Sequence, residues 1–184
     1  MFKRIILPFF MLAAVFVVGC SQGNGPPPSA AGSNDHTPTV AASGPASQYV
    51  LHTEPTDAKG VKELRKSAKD GDDLVVVGRV GGSPKPLVDG RAAFTIVDES
   101  LTPCSARPGD TCDTPWDYCC ESKEDLAAAT VMIKFVDATG KTLPQDAKTL
   151  LGITPLKTVV VRGRAKRDVD GNLTVVASAL YIRP

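Results

Sequence analysis

Leu74-Val75-Val76-Val77-Gly78-Arg79-Val80 is a β-branched run, bounded by Gly71-Asp72-Asp73 on one side and Gly81-Gly82-Ser83-Pro84 on the other. Branched side chains suit extended backbone and the flanking residues suit turns, so the run reads as a strand. Four more runs read the same way. Ala93-Phe94-Thr95-Ile96-Val97 alternates and stops at Asp98. Residues 131–136 stop at the turn Asp137-Ala138-Thr139-Gly140, and residues 158–165 and 173–182 flank a turn at Gly171-Asn172. A short helix over residues 145–151 is expected between the third and fourth strands.

Five strands with a helix between the third and fourth resemble the OB-fold barrel. The local phrasing agrees: Val75, Val77, Gly78 and Val80 in the first strand, Phe94-Thr95-Ile96-Val97-Asp98 in the second, Val159-Val160-Val161-Arg162-Gly163 in the fourth. Gly78 and Gly163 permit the strong bending that a small closed barrel demands. The resemblance covers residues 72–184. It implies a mainly β, five-stranded, OB-fold-like domain. It also implies binding of nucleic acid, oligosaccharide or protein on the face of the second and third strands, although a fold is not a function. Before the barrel, residues 54–70 place Val61, Leu64 and Ala68 at helical spacing among charges. Thr56 or Asp57 is the expected cap, and Gly71 the expected stop.

The stretch between the second and third strands, residues 99–130, is long for a loop inside a compact domain. It carries Cys104, Cys112, Cys119 and Cys120. Two disulfide bonds are the first expectation, because an even cysteine count and a loop without its own core both favour them wherever the compartment is oxidising. A bridge between Cys119 and Cys120 would close a strained eight-membered ring, so each is expected to pair with Cys104 or Cys112. Such bridges contribute about 2–4 kcal/mol. Two alternatives stand beside this one. Four thiolates complete the shell of zinc or another metal, although Cys-x7-Cys-x6-Cys-Cys departs from the usual paired spacing, and adjacent cysteines need a local bend to share one ion. Otherwise the thiols form a redox site, without the Cys-x-x-Cys of thioredoxin type. Trp116 and Tyr118 either pack over the sulfurs or offer a ligand surface. Asp110, Asp113 and Asp117 read as turn formers. Ser122-Lys123-Glu124-Asp125 has the form of a capping box and starts a short helix through Ala129. The phrase Pro115-Trp116-Asp117-Tyr118-Cys119-Cys120 resembles that of a family of small exported bacterial proteins, where it accompanies the same OB-like strands. That resemblance implies the fold and the export, and carries no activity over.

Lys3 and Arg4 give the chain a basic start, and residues 5–18 form a 14-residue run without charge. That is short of the roughly 20 apolar residues a spanning helix needs and suits the apolar region of an export signal. The run closes on Val17-Val18-Gly19-Cys20, which resembles the lipobox of bacterial lipoproteins. The resemblance implies removal of residues 1–19 as a signal peptide and acylation of Cys20 by diacylglyceryl and palmitate-type chains. It also implies a membrane-anchored place on the extracytoplasmic side of the cell envelope, the periplasmic face in a Gram-negative cell. Two or three acyl chains hold where one does not, at about 0.8 kcal/mol per buried methylene. Residues 20–48 are dominated by Gly, Pro, Ala and Ser and read as a flexible linker with a reach of roughly 30 Å. The folded domain is expected over residues 49–184.

The chain has 21 Lys and Arg against 20 Asp and Glu; loss of Lys3 and Arg4 with the leader leaves 19 against 20. No overall field then draws nucleic acid or anionic lipid, so nucleic acid is not an expected partner. Arg162, Arg164, Lys166 and Arg167 make a basic cluster in which Arg162 and Arg164 share a face. With Trp116 and Tyr118, these two arginines are the ligand-face candidates. Asp168-Val169-Asp170-Gly171-Asn172 lacks the closing glutamate of a calcium loop and reads as a hairpin. No Gly-x-Ser-x-Gly or spaced carboxylate pair is present, and His52 is the one imidazole near the domain. The expectation is therefore a tethered, non-enzymatic binding module without a cofactor. Its partners are the bilayer, through Cys20, and a protein or other envelope component. The alternatives are a metal or thiol-redox protein using the four loop cysteines, and an OB-fold binder of nucleic acid or oligosaccharide.

Overall fold

Val131, Ile133 and Phe135 are buried along one strand while Met132 and Lys134 between them are half-exposed. This period of two is what lets a strand seal a core with one face and meet solvent with the other. The computed structural model describes residues 48–184; the leader, Cys20 and the linker up to residue 47 lie outside the described residues. The elements in chain order are β1 (Lys59–Gly60), α1 (Val61–Ser67), β2 (Asp73–Val80), β3 (Ala93–Val97), a 3-10 turn (Cys104–Ala106), α2 (Lys123–Ala129), β4 (Thr130–Phe135), α3 (Ala147–Leu151), β5 (Thr158–Arg167) and β6 (Leu173–Ile182).

The sheet order is β1-β2-β3-β4-β6-β5, and β5 returns to β2. Strands β2 to β6 therefore close a five-stranded barrel, with β1 added beside β2. The β4–β6 pairing is parallel, and the other barrel pairings are antiparallel. The domain is mainly β and OB-fold-like, with the long insertion between β3 and β4. Phe94, Ile96, Ile133, Phe135, Val159, Val161, Val175 and Leu180 form the interior, and α3 adds Ala147, Leu150 and Leu151 to it. The helix α3 stops at Gly152, whose φ of 71° is the left-handed region that glycine enters without steric cost. Closure bends β5: the register against β6 shifts between Arg162 and Gly163. A Cβ on Gly163 would lie 2.5 Å from the Val176 carbonyl oxygen and 2.9 Å from Ala177 Cα. The glycine is required there by the close approach of the neighbouring strand.

In α1 the expected stripe is buried, with Val61, Leu64 and Ala68 facing the core. Its ends differ from the expectation. Neither Thr56 nor Asp57 caps it; the helix starts after Gly60, and the carboxylate of Asp98 at the end of β3 accepts the Lys62 amide at 2.8 Å. Gly60 makes room for this, since a Cβ there would meet Asp98 Oδ2 at 2.7 Å. The far end stops at Ser67, short of Gly71, and is closed by Arg167, which donates to the carbonyls of Arg65 (2.6 Å) and Ala68 (2.9 Å). One member of the basic cluster is thus a helix cap supplied from the β5–β6 hairpin.

Burial pushes the Asp98 carboxyl up, but the bonds it accepts from Lys62 and Ser100 outweigh this and hold it below the usual carboxylate range. A lowered folded value means that its contribution is present above the ordinary carboxylate pKa. The contribution is lost as pH falls through the folded value. Asp98→Asn is expected to cost about 1.5–3 kcal/mol at neutral pH, the range for hydrogen bonds to a charged group. In chemical denaturation the gap between the two proteins should narrow in acid. A gap independent of pH would show that the charge contributes nothing.

Candidate functional site

The insertion leaves β3 at Asp98 and returns to the barrel at β4. Leu101 and Tyr118 pack with Val97 and Ala129 in a second buried cluster beside the main core. Tyr118 is fully buried, and its hydroxyl accepts a bond from Arg79 Nη1 on β2 at 3.1 Å. The backbone of the loop lies directly against the glycines that follow β2: the Gly82 amide donates to the Trp116 carbonyl at 2.8 Å. A Cβ on Gly81 would meet that same carbonyl oxygen at 2.5 Å and the Tyr118 ring at 3.0 Å. Trp116 is half-buried and donates its indole N–H to Pro84 O at 3.1 Å. At the far end, Ser122 Oγ accepts the Asp125 amide at 3.0 Å and donates to Asp125 Oδ2 at 2.8 Å, so Ser122 caps α2 as expected, with a hydroxyl–carboxylate bond in place of the reciprocal backbone bond of a full capping box.

Tyr118 has φ = 60°, in the left-handed region that a bulky residue rarely adopts. The Glu121 amide then donates to the Tyr118 carbonyl at 2.9 Å, closing a turn around Cys119 and Cys120. Asp117 supports the turn from the other side. Its Oδ1 accepts the Cys119 amide and its Oδ2 accepts the Thr114 hydroxyl, both at 2.8 Å. Burial pushes the Asp117 carboxyl up, and these bonds outweigh it and hold it below the usual range.

The turn brings both adjacent sulfurs toward Cys104, which is fully buried with its amide bonded to the Pro115 carbonyl. The Sγ–Sγ separations are 3.6 Å for Cys104–Cys119, 3.8 Å for Cys104–Cys120, 3.7 Å for Cys112–Cys119 and 4.0 Å for Cys119–Cys120. The expected disulfides are not formed: all four loop cysteines are free thiols. A cystine needs one partner at about 2.05 Å, whereas Cys119 has three sulfur neighbours. Contact with the Cys104 sulfur, and then with that of Cys112, pushes the Cys119 thiol far above its ordinary range. Two overlapping sets of donors could hold a metal ion. One is Cys104, Cys112, Asp117 and Cys119; the other is Cys104, Asp110 and Cys120. Within each, all donor atoms lie within 4.8 Å of one another.

The ligand-face candidates do not converge. Tyr118 packs in the interior and offers no surface. Arg162 and Arg164 are exposed on β5 and line a groove of about 770 Å³ with α1 and the start of β2, where Arg164 pairs with Asp73. A second concavity, about 470 Å³, lies on the outer face of β3 and β4. Arg91, Lys134 and Lys141 line it together with Val88, Ala93 and Met132, and no carboxylate does. Among the described residues, none of these three cations has an ion-pair partner (the described pairs are those of Lys59, Arg107, Arg164 and Arg183). They are separated along the chain, so no local run of sequence marks them. The β3–β4 ladder sets Lys134 opposite Ala93, two residues from Arg91.

No family model and no curated protein matches the chain. Among solved structures, a Leishmania major Friedlin chain described as an aspartyl-tRNA synthetase superposes with a TM-score of 0.38 at 9% identity, over 79% of this chain and 22% of that one. The present chain thus spans about a fifth of that structure's length, and a likeness at this level assigns nothing to it. Among the described residues no helix is long and apolar enough to cross a membrane.

Proposed function

We propose that this chain is a lipid-anchored protein of the bacterial cell envelope, held by acylated Cys20, whose barrel is a non-enzymatic binding module for a negatively charged ligand. The observation that carries the binding reading is the β3–β4 concavity, where Arg91, Lys134 and Lys141 stand without a carboxylate among the lining residues. Asp137 accepts the Lys141 amide at 3.1 Å and Asp146 the Gly90 amide at 2.7 Å near the rim, but neither forms an ion pair with the three cations among the described residues, so these keep part of their field for an incoming anion. The position agrees with the resemblance to OB-fold proteins, which bind on this pair of strands. The anchor is supported by the Val17-Val18-Gly19-Cys20 motif and the basic, apolar leader before it.

One membrane preparation of the full chain tests both parts. Intact mass should show residues 1–19 removed and acyl chains added at Cys20; an uncleaved, unacylated chain ends the anchor. A single-stranded oligonucleotide then serves as a polyanion probe, with neutral dextran as control. Three contacts predict an affinity falling roughly 20-fold between 50 and 200 mM salt. Arg91→Glu with Lys134→Glu should abolish the binding. Equal binding by this variant, or none by the wild type at low salt, would remove the face from consideration.

A second reading has its own observation. The convergence of the loop sulfurs supports a bound metal, zinc in the first place, where two disulfides were expected. It is compatible with the binding module and supplies the loop with a staple of another kind.

A further inference from the structure

We infer that Cys104, Cys112, Cys119 and Cys120 bind one zinc ion as a closed tetrathiolate, and that this centre fixes residues 104–120 to the barrel. The inference rests on the metal reading just given and names its ligand set and its role. A tetrahedron with Zn–S bonds of about 2.3 Å has sulfur–sulfur edges of about 3.8 Å. Four of the six sulfur pairs, at 3.6, 3.7, 3.8 and 4.0 Å, fall around that value. Cys104 and Cys112 lie within 4.8 Å of each other, while Cys112 and Cys120 share no donor set, so the sixth edge closes only if the exposed Cys120 moves toward Cys112 as the ion binds. Any pairing into cystines would have to pull Cys119 toward one of three neighbours and away from the other two. A single ion beside Cys119 would satisfy Cys119 and its three sulfur neighbours together.

Adjacent cysteines in extended backbone point their sulfurs apart, the main objection to their sharing an ion. The left-handed Tyr118 and the turn it begins remove that objection, since Cys119 and Cys120 both approach Cys104. The carboxylates are poorer candidates. Both Asp117 oxygens already accept bonds, from the Cys119 amide and the Thr114 hydroxyl, so Asp117 is a positioning residue that holds the turn. Asp110 competes only for the side of the site near Cys104 and Cys120.

Four sulfurs fill a tetrahedral shell and leave no open position, so the role is structural. Binding is an acid–base and coordination step with no electron transfer. Four S–H bonds break, four Zn–S bonds form, and four protons pass to solvent, leaving a centre of net charge −2. The ion ties the start, the middle and the end of the loop together. The buried Cys104, the Trp116–Gly82 bond and the buried Tyr118 tie that assembly to the barrel.

The test uses the full chain, purified without reductant or chelator, with Cys20 followed separately by peptide mapping. Expected are one zinc per chain and no cystine among the four loop residues. Exchange for cobalt(II) should give the visible spectrum of a tetrahedral thiolate site. Asp110→Asn should leave the ligand-field bands in place. Cys120→Ser should shift them and weaken zinc binding by at least about tenfold, the cost already found for outer-shell partners. Circular dichroism checks that each variant is folded. Two cystines and no metal would overturn both the metal reading and the tetrathiolate. One bound metal whose cobalt bands move in the Asp110 variant, with Cys120→Ser unchanged, would leave the metal reading standing and overturn this ligand set.

Discussion

Tyr118→Ala is expected to lower the unfolding free energy by about 3–5 kcal/mol, the range for truncating a large buried aromatic. The ring is fully buried among Val97, Leu101 and Ala129 and lies against Gly81. The second cluster has few members and little freedom to collapse around the loss. Truncation also deprives Arg79 of its better acceptor and leaves the longer bond to the Leu101 carbonyl at 3.4 Å. Tyr118→Phe separates the two effects. It keeps the ring and removes one hydrogen bond, at a cost of about 0.5–1.5 kcal/mol. Urea denaturation followed by the fluorescence of Trp116 measures both variants. An alanine variant within 1 kcal/mol of wild type would show that the loop is not anchored through this ring.

Gly163→Ala is the second large effect, with an expected cost of about 3 kcal/mol, at the upper end for overpacked sites. The added methyl would strike Val176 O and Ala177 Cα, and neither can rotate away because both belong to the backbone of β6. Relief requires β5 and β6 to separate where their register shifts. A domain of this size has about 5–15 kcal/mol of stability in all. Arg162→Ala is the control, since its side chain is exposed on the preceding residue and a surface change costs within about 0.5 kcal/mol. Equal midpoints for the two variants in denaturant would show that the glycine is dispensable.

The barrel was legible because its signals are local. β3 and β6 have the bounds that alternation and turn residues indicate; β2 and β5 differ from the indicated bounds by one or two residues at one end, and β4 by one residue at each end. The helix α3 begins two residues later than expected. β1 left no trace in the sequence, since two residues have no periodicity to detect; it exists only because Lys59 and Gly60 lie beside Val76 and Val77. The start of α1 was misplaced for a related reason. Thr56 and Asp57 are good local caps, but the bond comes from Asp98, 36 residues away.

The same division runs through the site. Spacing alone identified four loop cysteines and the need for a bend between two of them. It could not indicate that an aromatic residue would supply the bend by adopting φ = 60°. The conspicuous basic stretch at residues 162–167 drew attention, yet its last member caps a helix and Arg164 faces Asp73. The three cations that line the β3–β4 concavity come from two loops and a strand. Only the pairing of β3 with β4 gathers them.

The first described residues enter along β6. Tyr49 O accepts the Leu180 amide and the Leu51 amide donates to Leu180 O, each at 2.7 Å. Glu54 is then gripped by Arg183 at 2.7 Å. A pull applied at residue 48 would therefore be met by two backbone bonds to β6, one ion pair and the edge-on packing of Tyr49 against Phe135, with ring centroids 5.1 Å apart. The entry segment is thereby fastened both to β6 and to the core at the end where a tether would attach.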